Sequence, residues 1–232
     1  KYLLILLIFI THLGYGMDLK RAQNILNSDT DFEFASQYLE KRNKKTTKDQ
    51  AINEVLLPIA HHESKLDANA FQTGGGPGRG WYQFEGTGGD LKKSFRTALR
   101  RSMRVILNDK GVEFTTNPEV LKKNGVPSYI IKAYDTKKEA SDLTPGQQSS
   151  IALLNFLGHP NANIDHVTKN TNTPQTINTF WFENHWAGAN KSTEQTKLDR
   201  RVSFSRDYDE YVTLSNKKDR VRHIRKVPPN FK

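Results

Sequence analysis

Eight of the chain's 15 glycines fall within residues 73–89, in the runs Gly74-Gly75-Gly76-Pro77-Gly78-Arg79-Gly80 and Gly86-Thr87-Gly88-Gly89. Glycine weakens the interior of helices and strands and permits backbone angles closed to other residues, so this density marks tight turns and close backbone approach. Enclosed by it are four large side chains, Trp81-Tyr82-Gln83-Phe84. Whatever the chain folds into has an irregular, tightly turned centre, with regular structure on its flanks.

The flanks read as helices. Thr47 is placed to cap one of them, Gln50 completes a capping-box spacing, and Ile52, Val55, Leu56, Ile59 and Ala60 recur at helical intervals. Pro58 lies inside this helix and predicts a kink near its end. Beyond the glycines a long basic helix is expected over residues 90–110, closed by Gly111. Leu91, Phe95, Leu99, Met103 and Ile106 face inward in it, with Lys93, Arg96, Arg100 and Arg104 outward. Thr144-Pro145 opens another helix, burying Ile151, Leu154 and Leu157 before Gly158. Thr173-Pro174 opens one more, burying Ile177, Phe180 and Trp181 before Gly188. The fold class is therefore mainly α-helical.

The 232 residues are enough for one cored domain with small extensions. We place that domain at residues 47–215. Residues 17–46 are a helical N-terminal extension that packs on it through Phe32, Phe34, Ala35 and Tyr38. In residues 1–16, Lys1 precedes an apolar run over 2–10 that is short for a membrane span but suits a signal peptide, with Gly14-Tyr15-Gly16 as small residues after it. Two other readings stay open: that Met17 is the true start, or that the segment is a hydrophobic plug in a larger assembly. Residues 216–232 carry Lys217, Lys218, Arg220, Arg222, Arg225 and Lys226 and read as a mobile basic tail.

There is no cysteine, which excludes disulfides, thiolate nucleophiles and Cys-ligated zinc. A net charge of +10 favours polyanionic partners such as nucleic acid, anionic lipid or an acidic cell wall. His61-His62-Glu63 does not suit a metal, because a zinc-protease helix needs a second His where Leu66 stands. The glycine-rich stretch has neither a Gly-Lys-Ser/Thr ending nor a G-x-G-x-x-G pattern for phosphate, and no G-x-S-x-G elbow is present. His159 and His166 read as structural or exposed. No nucleic-acid-binding motif accompanies the basic helix or tail, so no specific nucleic acid is expected.

Glu63 is the anomaly. It continues the apolar stripe, four residues after Ile59, seven after Leu56 and eleven after Ile52. Desolvation of an inward-facing carboxyl favours its protonated form, and glycosidic cleavage needs an acid that still holds its proton near neutral pH. The competing reading is an exposed carboxylate at a helix end.

The neighbouring residues narrow the choice. The stretch from Ile59 through His62-Glu63-Ser64 to Asn69-Ala70 resembles the first motif of the soluble lytic transglycosylases, where a helix ends in Glu-Ser and a polar turn follows. Gly80-Trp81-Tyr82-Gln83 resembles their second motif at the expected distance, and its Gly-Pro-Gly-Arg-Gly setting is similar to bacteriophage lysozyme-like proteins. The third motif, Tyr-Asn-Ala-Gly, is matched in part by His185-Trp186-Ala187-Gly188.

The resemblance spans residues 47–190. It implies a lysozyme-like α+β fold, predominantly α-helical, with a small Gly-rich turn or β region and a cleft for peptidoglycan glycan strands. It further implies Glu63 as the catalytic acid, Ser64 as its support, and Gly80 and Gln83 lining the cleft. His185 and Trp186 join these as substrate contacts. Glu85 is the best-placed second carboxylate, which an inverting hydrolase needs and a transglycosylase does not, with a turn residue or an Arg79 partner as its other reading. Trp81, Tyr82 and Trp186 are candidates to stack on sugars, with core packing as the competing role. No cofactor and no metal are expected. Other phage virion proteins are possible partners, and contact with a membrane is expected only through residues 1–16. The runner-up function is a virion structural or cell-wall-binding module of the same fold with little catalysis.

Overall fold

The computed structural model describes residues 17–42, 45–72, 78–85, 94–136, 138–169, 174–185 and 192–225. Expectations for residues 1–16, Leu91, Lys93, Thr173, Trp186 and Gly188 lie outside these. In chain order the helices are α1 (Leu19–Ser28), α2 (Thr30–Arg42), α3 (Lys48–Gln50), a π-helical run (Ala51–Leu56) and α4 (Leu57–Ser64). Strands β1 (Gly78–Arg79) and β2 (Phe84–Glu85) follow. Next come α5 (Ser94–Asp109), α6 (Pro118–Lys123), α7 (Ser128–Asp135), a 3-10 turn (Ala140–Asp142) and α8 (Pro145–Leu157). Helices α9 (Ile164–Lys169), α10 (Pro174–Asn184) and α11 (Glu194–Arg225) complete the described chain. It is predominantly helical, with one antiparallel pair joining Gly78 to Glu85 and Arg79 to Phe84.

Helix α8 is the axis. From Gln148 to Phe156 every residue is buried, and α2, α5 and α1 pack around it. Such a helix cannot be amphipathic in the usual sense, and its polar residues must find partners inside the protein. Thr144 caps it with a full capping box to Gln147, as the Thr-Pro signal predicts. Ile151 and Leu154 are fully buried, whereas Leu157 is only partly so.

Residues 19–42 contribute Ala22, Leu26, Phe32, Ala35, Tyr38 and Leu39 to the same core. Phe34, expected in that stripe, packs only partly against it. The approach of α2 to α8 is very close, because a Cβ on Gly146 would meet the Asp29 carboxylate carbon at 2.0 Å. That carboxylate accepts the Phe32 backbone N–H at 2.9 Å and so caps α2.

The Thr47 cap and its box with Gln50 form as read, and Ile52, Val55, Leu56, Ile59 and Ala60 are all buried. A π-type irregularity accompanies Pro58. The helix widens upstream of it, where the Leu57 N–H reaches Ile52 O in a π-type bond. Pro58 then sits in the first turn of α4, where its missing N–H has least effect. In α5, Phe95, Leu99, Met103 and Ile106 are buried as expected. Its outward arginines stack, Arg96 over Tyr134 at 4.1 Å and Arg104 over Phe114 at 4.6 Å.

The segment after Asn216 is not an irregular tail throughout, since α11 stays helical to Arg225. Among the described residues no helix is long and apolar enough to cross a membrane.

Gly146→Ala drives a methyl group into the Asp29 cap and strains the α2–α8 contact. Urea denaturation should show a loss of roughly 1–3 kcal/mol, the usual range for overpacking.

Candidate active site

Helix α4 ends on two consecutive left-handed residues, Lys65 at φ 52° and Leu66 at φ 64°. Neither is glycine, so each conformation costs on the order of 1 kcal/mol and persists only where packing holds it. Leu66 is buried, and its carbonyl accepts the Trp81 indole N–H at 2.9 Å. This reversal carries the chain back along the site. Ala70 O accepts the Gly80 N–H at 2.9 Å, and Phe71 bridges to Arg79.

Gly80 to Gln83 form a tight turn. Gly80 has φ 74° and Gln83 φ 45°, and the Gln83 side-chain amide donates back to Gly80 O at 2.9 Å. A Cβ on Gly80 would lie 2.3 Å from Gln148 Oε1, so only glycine fits. That oxygen accepts the Trp81 backbone N–H at 2.7 Å, while the same amide donates to Leu143 O at 2.9 Å and Ala68 O at 3.1 Å. Next along α8, Ser149 pairs with the Tyr82 hydroxyl at 2.8 Å.

Trp81 and Tyr82, candidates for sugar contact, are completely buried and are corrected to core residues. Both point into the interior because their polar atoms are satisfied by Leu66 and Ser149. Ser64, expected to support the acid, instead ties the turn to α4, its hydroxyl donating to Ala60 O at 3.0 Å and Trp81 O at 3.1 Å.

Glu63 keeps 16% of its side chain exposed, at the edge of the core. Its Oε1 accepts the Trp181 indole N–H at 2.5 Å. His185 Nε2 lies 3.6 Å from the same oxygen and donates to Tyr82 O at 2.6 Å. Burial pushes the His185 pKa down, outweighing the pull of Glu63 and the Tyr82 bond. The ring is packed against Tyr82, Phe84 and Phe156, so His185 is corrected from a substrate contact to a residue that locks the turn beside Glu63. Of Glu85 only the backbone, in β2, belongs to the described structure.

A cleft of about 390 Å³ opens at Glu63, lined also by Phe71, Gln83, Arg200, Ser203 and Asp207. Its far wall is α11, which the sequence left unread. Asp207 accepts from His62 Nδ1 at 2.8 Å and from Lys65 Nζ at 3.0 Å. Glu210 accepts from Lys65 at 2.9 Å and pairs with buried His61 at 3.3 Å. The His62 ring packs edge-on to Trp181 at 4.7 Å, and Trp181 stacks on Phe204 of α11 at 4.8 Å. The histidine doublet is thus a buried anchor for α11. Among the described residues no cluster of His, Asp or Glu could hold a metal ion.

Trp181, His62, Asp207 and Arg200 were not legible as site residues. The sole hint was the doublet itself, since a buried histidine next to a motif must find a partner elsewhere in the chain.

Burial opposes ionisation of Asp207, but the hydrogen bonds from His62 and Lys65 outweigh it and hold its pKa at about 2, against an ordinary 3.8. A depressed carboxylate contributes stability above its ordinary pKa and loses it as pH falls through the folded value. The Asp207 contribution, on the order of 2 kcal/mol at neutral pH, therefore disappears between about pH 4 and 2. Asp207→Asn should be less stable at pH 7 and flatten the acid limb of a stability-against-pH curve in that window.

Comparison of the chain with protein-family models, curated proteins and solved structures finds no match in any of the three.

Proposed function

We propose that this protein cleaves the β-1,4 bond between N-acetylmuramic acid and N-acetylglucosamine in peptidoglycan, with Glu63 as the acid. The observation that carries this reading is the setting of Glu63: a carboxyl at the edge of the core, fixed by Trp181, opening into a cleft walled by the Gln83 turn. Fixing the carboxyl before substrate arrives removes an ordering cost from the proton transfer. The leaving glycosidic oxygen takes the Glu63 proton as the C1–O bond breaks.

The helical body with its short β pair is in keeping with a lysozyme-like α+β fold. The motif resemblance favours a phage-encoded enzyme, acting from the virion or exported to the wall, and the +10 charge suits an anionic wall polymer.

Inverting hydrolysis needs a free carboxylate that activates water. Among the described residues the other carboxylate in the cleft is Asp207, which is already engaged by His62 and Lys65. The route we propose is the single acid/base one, which needs no second carboxylate: the 6-hydroxyl of N-acetylmuramic acid attacks C1 and gives up its proton to Glu63.

Glu63→Gln keeps the shape and the Trp181 bond but cannot supply the proton. Clearing of purified peptidoglycan should fall at least ~100-fold while binding is retained, and an unchanged rate would sink the assignment. Mass spectrometry of the released muropeptides should find 1,6-anhydro ends; reducing ends would mean hydrolysis.

A further inference from the structure

Phe71 is the most exposed large apolar side chain among the described residues, 68% accessible to solvent. It lines the Glu63 cleft together with Gln72 and Gln83. An aromatic ring exposed beside a cleft would gain free energy on being covered by a ligand.

The ring does not hang loose. The Arg79 guanidinium lies 4.4 Å from its centroid and backs one face. Arg79 is itself held, donating from Nε to Glu139 at 3.1 Å and from Nη1 to Gly78 O at 2.9 Å. The Phe71 backbone is bridged to Arg79, and on either side Gly80 N donates to Ala70 O at 2.9 Å and Gln72 N to Gly78 O at 3.0 Å. One face is therefore occupied and the other is presented, preorganised, to the cleft.

We propose that Phe71 is the platform on which a hexosamine ring of a β-1,4-linked glycan stacks, setting the strand's position relative to Glu63. The inference rests on the reading of the cleft as a glycan site. A pyranose face presents a patch of C–H groups with slight positive charge, which meets the negative face of an aromatic ring, while its hydroxyls point outward in the ring plane. Gln72 and Gln83 also line the cleft beside Phe71. Trp81 and Tyr82 cannot serve, being completely buried.

The test uses the full chain carrying Glu63→Gln as the binding parent, titrated calorimetrically with the soluble β-1,4-linked N-acetylglucosamine hexamer. Adding Phe71→Ala should weaken binding by about tenfold, and Phe71→Trp should restore it to within about twofold. With Glu63 intact, Phe71→Ala should raise KM by a similar factor and leave kcat within about twofold, the signature of lost uniform binding. Thermal melting should match the parent, because the side chain is outside the core. Parental affinity in Phe71→Ala, with the parent binding normally, overturns the platform alone. If the parent binds no hexamer and the unsubstituted chain clears no peptidoglycan, both the platform and the glycan reading fall.

Discussion

The amide of Gln148 holds the structure together at its least regular point. It is buried in the central helix, accepts the Trp81 N–H, and donates to Ala68 O and Leu143 O. Each of these backbone groups would otherwise be an orphan in the interior, at a cost of roughly 1–3 kcal/mol apiece. The close approach is possible only because Gly80 has no side chain. One glutamine and one glycine therefore seat the Gly80–Gln83 turn on the helical core, and every other contact of the site is measured from that seat.

Two groups from far along the chain then place Glu63. Trp181 bonds its carboxylate, and His185 ties the Tyr82 carbonyl beside it. Both come from the end of α10, which packs on α11, and α11 is held to α4 by the paired histidines and Lys65. The acid, the turn and the far wall of the cleft are thus three sides of one interlocked unit. The aromatic stack of His62, Trp181 and Phe204 supplies the apolar filling, while Asp207 and Glu210 satisfy the buried imidazoles.

Much of the helical scaffold was legible because its signals are local. Thr47 with Gln50 forms the capping box its spacing announces, and Thr144 caps the helix that Thr144-Pro145 announces. The apolar intervals of α4 and α5 bury the residues that period 3.6 selects. Helix α11 went unread although its buried residues Phe204, Asp207, Tyr208 and Tyr211 recur at helical spacing, because that stripe is short, includes a carboxylate and is set among many other charges. The buried Gln148-Ser149-Ser150 run was equally silent, since polar residues in a helix read as a solvated face until their partners are known.

By itself the sequence determined the capped and periodic helices, the turn at Gly80 and the singular position of Glu63, because caps, periodicity and glycine angles act over a few residues. Only the tertiary structure decided which aromatic residues reach the cleft: Trp81 and Tyr82 turned inward to meet Leu66 and Ser149, and Phe71 remained outside on Arg79. It also chose the partners of the carboxylates, giving Trp181 to Glu63 and His62 to Asp207 across more than a hundred residues of chain. The physical reason is common to all these cases. Burial and hydrogen-bond satisfaction depend on what arrives from elsewhere in the fold, and a buried donor accepts whichever acceptor the packing delivers.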